Sequence, residues 1–196
     1  DMVVMSVGIR PNTSFLEGSG IEMFRGTILT DEFGQTWLQD DTTFSHSWGE
    51  DYGMHPYQAS QSTTKEEIHG TNSDKLFQSF RYGRHLLWYD FPLPDGEYRI
   101  ELYFAEPWHG KGGGESDDYE GLRIFDVAAN GITVADDIDP WAEAGYCGSM
   151  RRVVTGKAVN GNLRISFPEI KAGQAIISAI AVAMYTGVFV YRKLTN

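Results

Sequence analysis

The chain has 196 residues, 22 of them glycine and one cysteine, with a formal net charge of -11 at pH 7. A chain of this length is one domain with at most a small appendage, and it buries enough surface to fold without a disulfide or a structural metal. Abundant glycine and aromatics without a sustained helical apolar period exclude a helical bundle and favour an all-β sandwich, while the acidic balance excludes nucleic acid as a partner, because phosphates would be repelled over most of the surface.

Residues 1–22, DMVVMSVGIRPNTSFLEGSGIE, carry a strand signature at Met2 to Val7 and a turn at Pro11-Asn12. Asp1 opens without a basic region or a small-residue cleavage site, so the sequence reads as a piece of something longer. The VxxxxGxRPNT spacing is similar to a short segment of the pyridine nucleotide–disulfide reductases. Those enzymes also need a GxGxxG after a strand and a redox cysteine pair, and neither is here. Residues 1–26 are therefore assigned as a leading segment or linker, and no cofactor is expected.

Residues 27–41, TILTDEFGQTWLQDD, combine an acidic turn, a glycine and Trp37-Leu38. Residues 42–72 are polar and should be mostly loop, yet they hold Trp48, Tyr52, His55 and Tyr57 without a clear period. Loops run over the surface, and an exposed aromatic face is what the flat C–H patch of a pyranose ring stacks on. Tyr52 is a candidate ligand residue on this ground. Trp48 and Tyr57 serve equally well as anchors of the loop on the sandwich.

Between Lys75 and Pro92 the pattern predicts two strands around a bend at Tyr82-Gly83-Arg84, with Phe77, Phe80, Leu87, Tyr89 and Phe91 inward and Trp88 and Asp90 outward. The turn Pro94-Asp95-Gly96 leads into a strand in which Tyr98, Ile100, Leu102 and Phe104 face the core and Glu97, Arg99, Glu101 and Tyr103 face water, by the period of two. Trp108-His109 follows just past the last inward residue. The loop from there to Gly121 contains Gly110, Gly112, Gly113 and Gly114, which free the backbone to shape a rim. A tryptophan left exposed at a strand end suggests that something binds there.

Asn130-Gly131 between FDVAA and ITVA is a strong hairpin signal, so the neighbouring strands are antiparallel. Asp136, Asp137 and Asp139 lack the spacing of an EF-hand and read as a solvated or capping turn, with Asp139 capping one helical turn at Pro140-Trp141. No metal is assigned. A strand over Arg151 to Lys157 leads to the Asn160-Gly161 hairpin, after which Leu163, Ile165 and Phe167 point inward. Cys147 stands alone and reads as a small buried apolar residue. Gln174 lies at the rim before Ile176 to Ala183, a run apolar on both faces that predicts a central strand, and Val188 to Tyr191 has strand character.

The run LYFAEPWHG, then GLRIFDVAANG, then an acidic turn ending in Trp141, resembles the malectin domain and the malectin-like carbohydrate-binding modules attached to bacterial glycoside hydrolases. The similarity continues in order through TDEFGQTWLQDD, DYGMHPYQASQ, LFQSFRYGRHLLWYDFPLPDGEY and NGNLRISFPEIKAGQAIISAIAVA. It implies an antiparallel two-sheet β-sandwich of jelly-roll type over residues 27–185, with 186–196 as a C-terminal tail. It implies a sugar site in which Tyr82 of the RY pair faces the ligand and Trp108-His109 stands where malectin has a Tyr-Phe pair. Gln174 then lies where malectin has an acidic residue.

Tyr52, Tyr82, Trp108, His109 and Gln174 are thus the candidate ligand-binding set, and no catalytic residue is assigned. The expected partner is a neutral oligosaccharide or polysaccharide, with a catalytic glycoside hydrolase domain in the same parent chain, and no membrane. A bacterial secreted, periplasmic or cell-surface location follows. A glycoside hydrolase needs two carboxylates facing across a cleft, and Glu106 has no identifiable partner for that role. The alternative is a sandwich that serves as a spacer or interdomain contact, with Trp108 covered by a neighbouring domain.

Overall fold

The computed structural model describes residues 23–24, 27–28, 38–39, 60–84, 87–111, 118–184 and 189–194. In chain order the described elements begin with β1 (Met23–Phe24), β2 (Thr27–Ile28), β3 (Leu38–Gln39), β4 (Ser60–Thr63), α1 (Asp74–Gln78), β5 (Ser79–Gly83) and β6 (Trp88–Pro92). They continue with β7 (Gly96–Phe104), β8 (Ile124–Ala129), β9 (Ile132–Ile138), α2 (Pro140–Ala144), β10 (Met150–Ala158), β11 (Asn162–Ser166), β12 (Ile170–Ala172), β13 (Ala175–Ile177), β14 (Ala179–Met184) and β15 (Phe189–Leu194).

Two sheets form the sandwich. One runs β10-β7-β14-β15-β3, and the other runs β12-β8-β11-β6 with β9 paired to β8. The pairings within them are antiparallel except that of β15 with β3, which is parallel. The tail thus adds a strand to the first sheet. A smaller sheet, β13-β5-β4, carries the polypeptide that becomes one wall of the site.

The tight turns follow from their residues. Asn130 and Gly131 have φ of 46° and 80°, and Asn160 and Gly161 have 55° and 77°, the left-handed conformations that Asn-Gly turns supply with little strain. The two sheets then present the apolar alternates of their strands to one another. Tyr98, Ile100, Leu102 and Phe104 of β7 meet Phe125 and Val127 of β8 and Leu163 and Ile165 of β11, all 1% exposed or less. Phe125 stacks obliquely between Phe104 and Phe167, with centroids 5.8 Å away on each side. Gly156 of β10 is a tight contact in the core, because a Cβ there would lie 2.7 Å from Ala129 of the facing sheet and from Ile100 of the neighbouring strand.

Four expectations change. The segment 75–78 is helical within α1, not strand, and Tyr82 lies inside β5, with the bend after Gly83. Glu101 and Tyr103 were expected in water but are buried, because a second apolar cluster of Ile68, Leu76, Phe77, Cys147, Ala179 and Ala181 covers that half of β7. Their polar atoms pair with each other, the Tyr103 hydroxyl donating to Glu101 at 2.5 Å. Burial and the adjacent carboxylate push the Tyr103 phenol well above its usual range. Finally, Ile176 to Ala183, expected as one central strand, is two. The chain breaks at Ser178, so that β13 joins β5 while β14 joins β7 and β15.

Cys147 is buried, and desolvation raises its thiol pKa, which makes it a poor nucleophile. No helix among the described residues is long and apolar enough to cross a membrane.

Candidate functional site

The chain leaves the core of β7 through Ala105, Glu106 and Pro107, all buried, and Trp108 is the first exposed residue, at 36%. Glu106 is fully buried and fixes this exit. Its carbonyl accepts the Cys147 N–H at 2.9 Å. One carboxylate oxygen accepts the backbone N–H of Trp108 at 3.0 Å and of His109 at 3.2 Å. The turn closes with the Lys111 N–H donating to the Trp108 carbonyl at 3.1 Å.

At this exit the Trp108 indole meets Tyr82 nearly perpendicularly, with centroids 4.6 Å apart and planes at 87°, and meets Phe80 at 5.3 Å and 83°. Such edge-to-face pairs are favourable beyond their buried area, so the two rings hold a fixed corner. Tyr82 is half-buried and stands on β5, between Ser60 of β4 and Ile176 of β13. Behind the corner lies Arg123, 2% exposed, with its guanidinium carbon 5.3 Å from the Trp108 ring centroid. Arg123 is ion-paired with Glu106 and donates to the backbone carbonyl of Gln174.

Of the five candidate ligand residues, Tyr82 and Trp108 are in direct ring contact and His109 follows on the same turn, half-buried. Gln174 joins them through its carbonyl and Arg123, and Tyr52 lies outside the described residues. Trp48, His55 and Tyr57 lie outside them as well. Trp88, another aromatic on an outer face, is covered by the Arg164 guanidinium at 4.4 Å, which in turn pairs with Asp90.

The sequence reading missed Glu106 and Arg123 as organisers of the corner. The available signal was a single charged residue within each of two otherwise apolar stretches, FAEPW and LRIF. Glu106 is also unsuited to acid–base chemistry on a sugar, because its carboxylate is buried and committed to Arg123 and two backbone donors.

The acidic turn is structural. Asp139 accepts the Trp141 and Ala142 N–H groups at 3.1 Å, capping α2, and also the Gly121 N–H at 2.7 Å, which pins the end of the loop after Trp108. Asp137 pairs with Lys171, which also reaches Asp126. Among the described residues no cluster of His, Cys, Asp and Glu is placed to hold a metal ion.

Gly110 is the tight point of the turn. Its φ is 97°, and a Cβ there would lie 3.1 Å from both the Trp141 Nε1 and the Tyr146 Cβ. Gly110→Ala should therefore lower stability by about 1–3 kcal/mol, from the disfavoured conformation and the crowding together. A urea denaturation midpoint checks this, and a midpoint equal to the parent's would show that the turn is free to move.

The malectin domain family model matches residues 22–185. Malectin-B and Malectin-A of Xenopus laevis are each 29% identical over 91 residues, which is 46% of this chain and 30% of theirs. Among solved structures, Bacteroides uniformis β-glucuronidase superposes with a TM-score of 0.63 at 25% identity, covering 80% of this chain and 16% of that one. The plant receptor-like kinase FER shares the fold at 17% identity and a TM-score of 0.56, covering 80% of this chain and 38% of that one. The chain thus spans under a third of the curated relatives it matches and a smaller part of the glucuronidase.

Proposed function

The chain belongs to the malectin domain family, a family of carbohydrate-binding domains, and from that premise we propose that it is a non-catalytic module taking a neutral oligo- or polysaccharide at the Tyr82–Trp108 corner. The observation that carries this reading is the pair of perpendicular rings at 4.6 Å where β7 leaves the core. A partly exposed indole offers a stacking face for the C–H patch of a sugar ring, and the neighbouring turn and His109 offer polar edges. The charge around it favours a neutral ligand. Arg123 is neutralised by Glu106, and Lys111 lies 3.4 Å from Glu66.

Affinity should be modest, because each sugar hydroxyl exchanges water for protein at a net gain of only roughly 0.5–1.5 kcal/mol and stacking must supply the rest. The small share of the glucuronidase that the chain covers supports a module within a larger bacterial glycoside hydrolase, placed in the secreted, periplasmic or cell-surface compartment. The same observation favours one second reading, a spacer whose Trp108 is covered by a neighbouring domain. A glycan array followed by calorimetry against glucans, galactans and xylans separates the two. The module reading predicts saturable binding by the isolated domain, and no binding to any of these sugars leaves the spacer.

A further inference from the structure

We propose that Glu106 and Arg123 are the positioning residues of this site, a buried ion pair that holds both walls of the aromatic corner in register; the inference rests on the sugar-binding reading and assigns the pair's role within it. The bonds of the pair run to the site more than to the core. The Glu106 carboxylate takes the two N–H groups that begin the turn, Trp108 and His109. The Arg123 guanidinium lies against the Trp108 ring, grips Glu106 and holds the Gln174 carbonyl. Gln174 opens directly into β13, whose Ile176 is the register partner of Tyr82. One wall is thus held through Glu106 and the other through Gln174.

A second contact joins the same two segments. Gly173 has φ 61°, and a Cβ on it would come within 2.6 Å of the Leu122 carbonyl, so the backbone before Gln174 packs directly on the residue before Arg123. Stability alone does not account for the pair, because apolar residues of like volume generally serve a core as well as a desolvated ion pair does. What a buried pair supplies in addition is fixed geometry. The planar fork of arginine can hold a carboxylate, a carbonyl and a ring at once, which the single ammonium of lysine cannot reproduce.

The test needs no sugar. The protein is labelled with 5-fluorotryptophan, and the Trp108 fluorine line is assigned by its loss in Trp108→Phe. In Arg123→Lys, charge is kept and the fork is lost. The Trp108 line should then shift and broaden or split, while the line of Trp88, which lies under the Arg164 guanidinium, holds. A folded Arg123→Lys protein whose Trp108 line keeps its position and width overturns the proposal.

Should Arg123→Lys not fold, hydrogen exchange on the parent decides. The Trp108 and His109 amides should exchange at least tenfold slower than in a peptide of the same sequence, despite their place at a surface turn. Exchange at the peptide rate overturns the proposal. A parent that binds no glycan but shows the protected amides and the arginine-dependent fluorine line refutes the sugar reading alone. A parent that binds while Trp108 is indifferent to Arg123 refutes the positioning role alone.

Discussion

Trp108→Ala is expected to remove measurable glycan binding while leaving the sandwich folded. The indole is the larger of the two rings at the corner and is more than a third exposed, so its outer surface is not spoken for by the core. Since hydroxyl contacts contribute little each, loss of the stacking face should bring an already modest affinity below detection. The stability cost should stay near 1–2 kcal/mol, less than a fully buried side chain would lose, because the contacts given up with Phe80 and Tyr82 lie at the edge of the molecule. Calorimetric titration and a thermal melt on the same sample check both parts. An unfolded variant would make Trp108 a structural residue, and one that binds like the parent would move the site elsewhere.

Leu102→Ala should have the opposite profile, a large loss of stability with no change in what the folded protein binds. Leu102 is fully buried in the C-terminal half of β7, flanked by Arg152 of β10 and Ile180 of β14 in register. Truncation there removes apolar contacts and leaves a cavity that two paired neighbours prevent from collapsing, so the cost should be about 2–5 kcal/mol. The urea midpoint should fall accordingly. An unchanged midpoint would contradict the inward register of the whole strand.

The parts of this fold that were legible in the sequence are those written by local rules. Asn130-Gly131 and Asn160-Gly161 announce their turns because their left-handed conformations select those residues, and β6, β7 and β11 announce their inward faces by alternation. Asp139 announced its cap by a local rule as well, since the N–H groups its carboxylate accepts lie two and three residues ahead of it. What was not legible depends on distant segments. Glu101 and Tyr103 read as solvent-facing until residues from α1, β14 and the 146–147 segment cover them. The apolar run from Ile176 to Ala183 looks uniform, and its division between two sheets depends on which strands wait on either side of Ser178.

The candidate site divides the same way. Trp108 stood out as a tryptophan past the end of an alternating strand, whereas its contact with Tyr82 joins residues far apart in the chain and was carried only by family resemblance. Glu106 and Arg123 lie 17 residues apart on different sides of the glycine-rich loop, and no periodicity links them. Single charges in apolar stretches are the trace such a pair leaves, and reading them as partners requires the fold.

The most direct test of the account is backbone amide shift mapping of the 15N-labelled domain, titrated with whichever of the glucan, galactan or xylan oligosaccharides binds it. The account predicts that the largest, saturable shifts fall on Tyr82, Trp108, His109 and Gly110, with smaller ones at Gln174. Shifts centred instead on another face, such as the one bearing Trp88 and Arg164, or spread evenly without saturation, would contradict it.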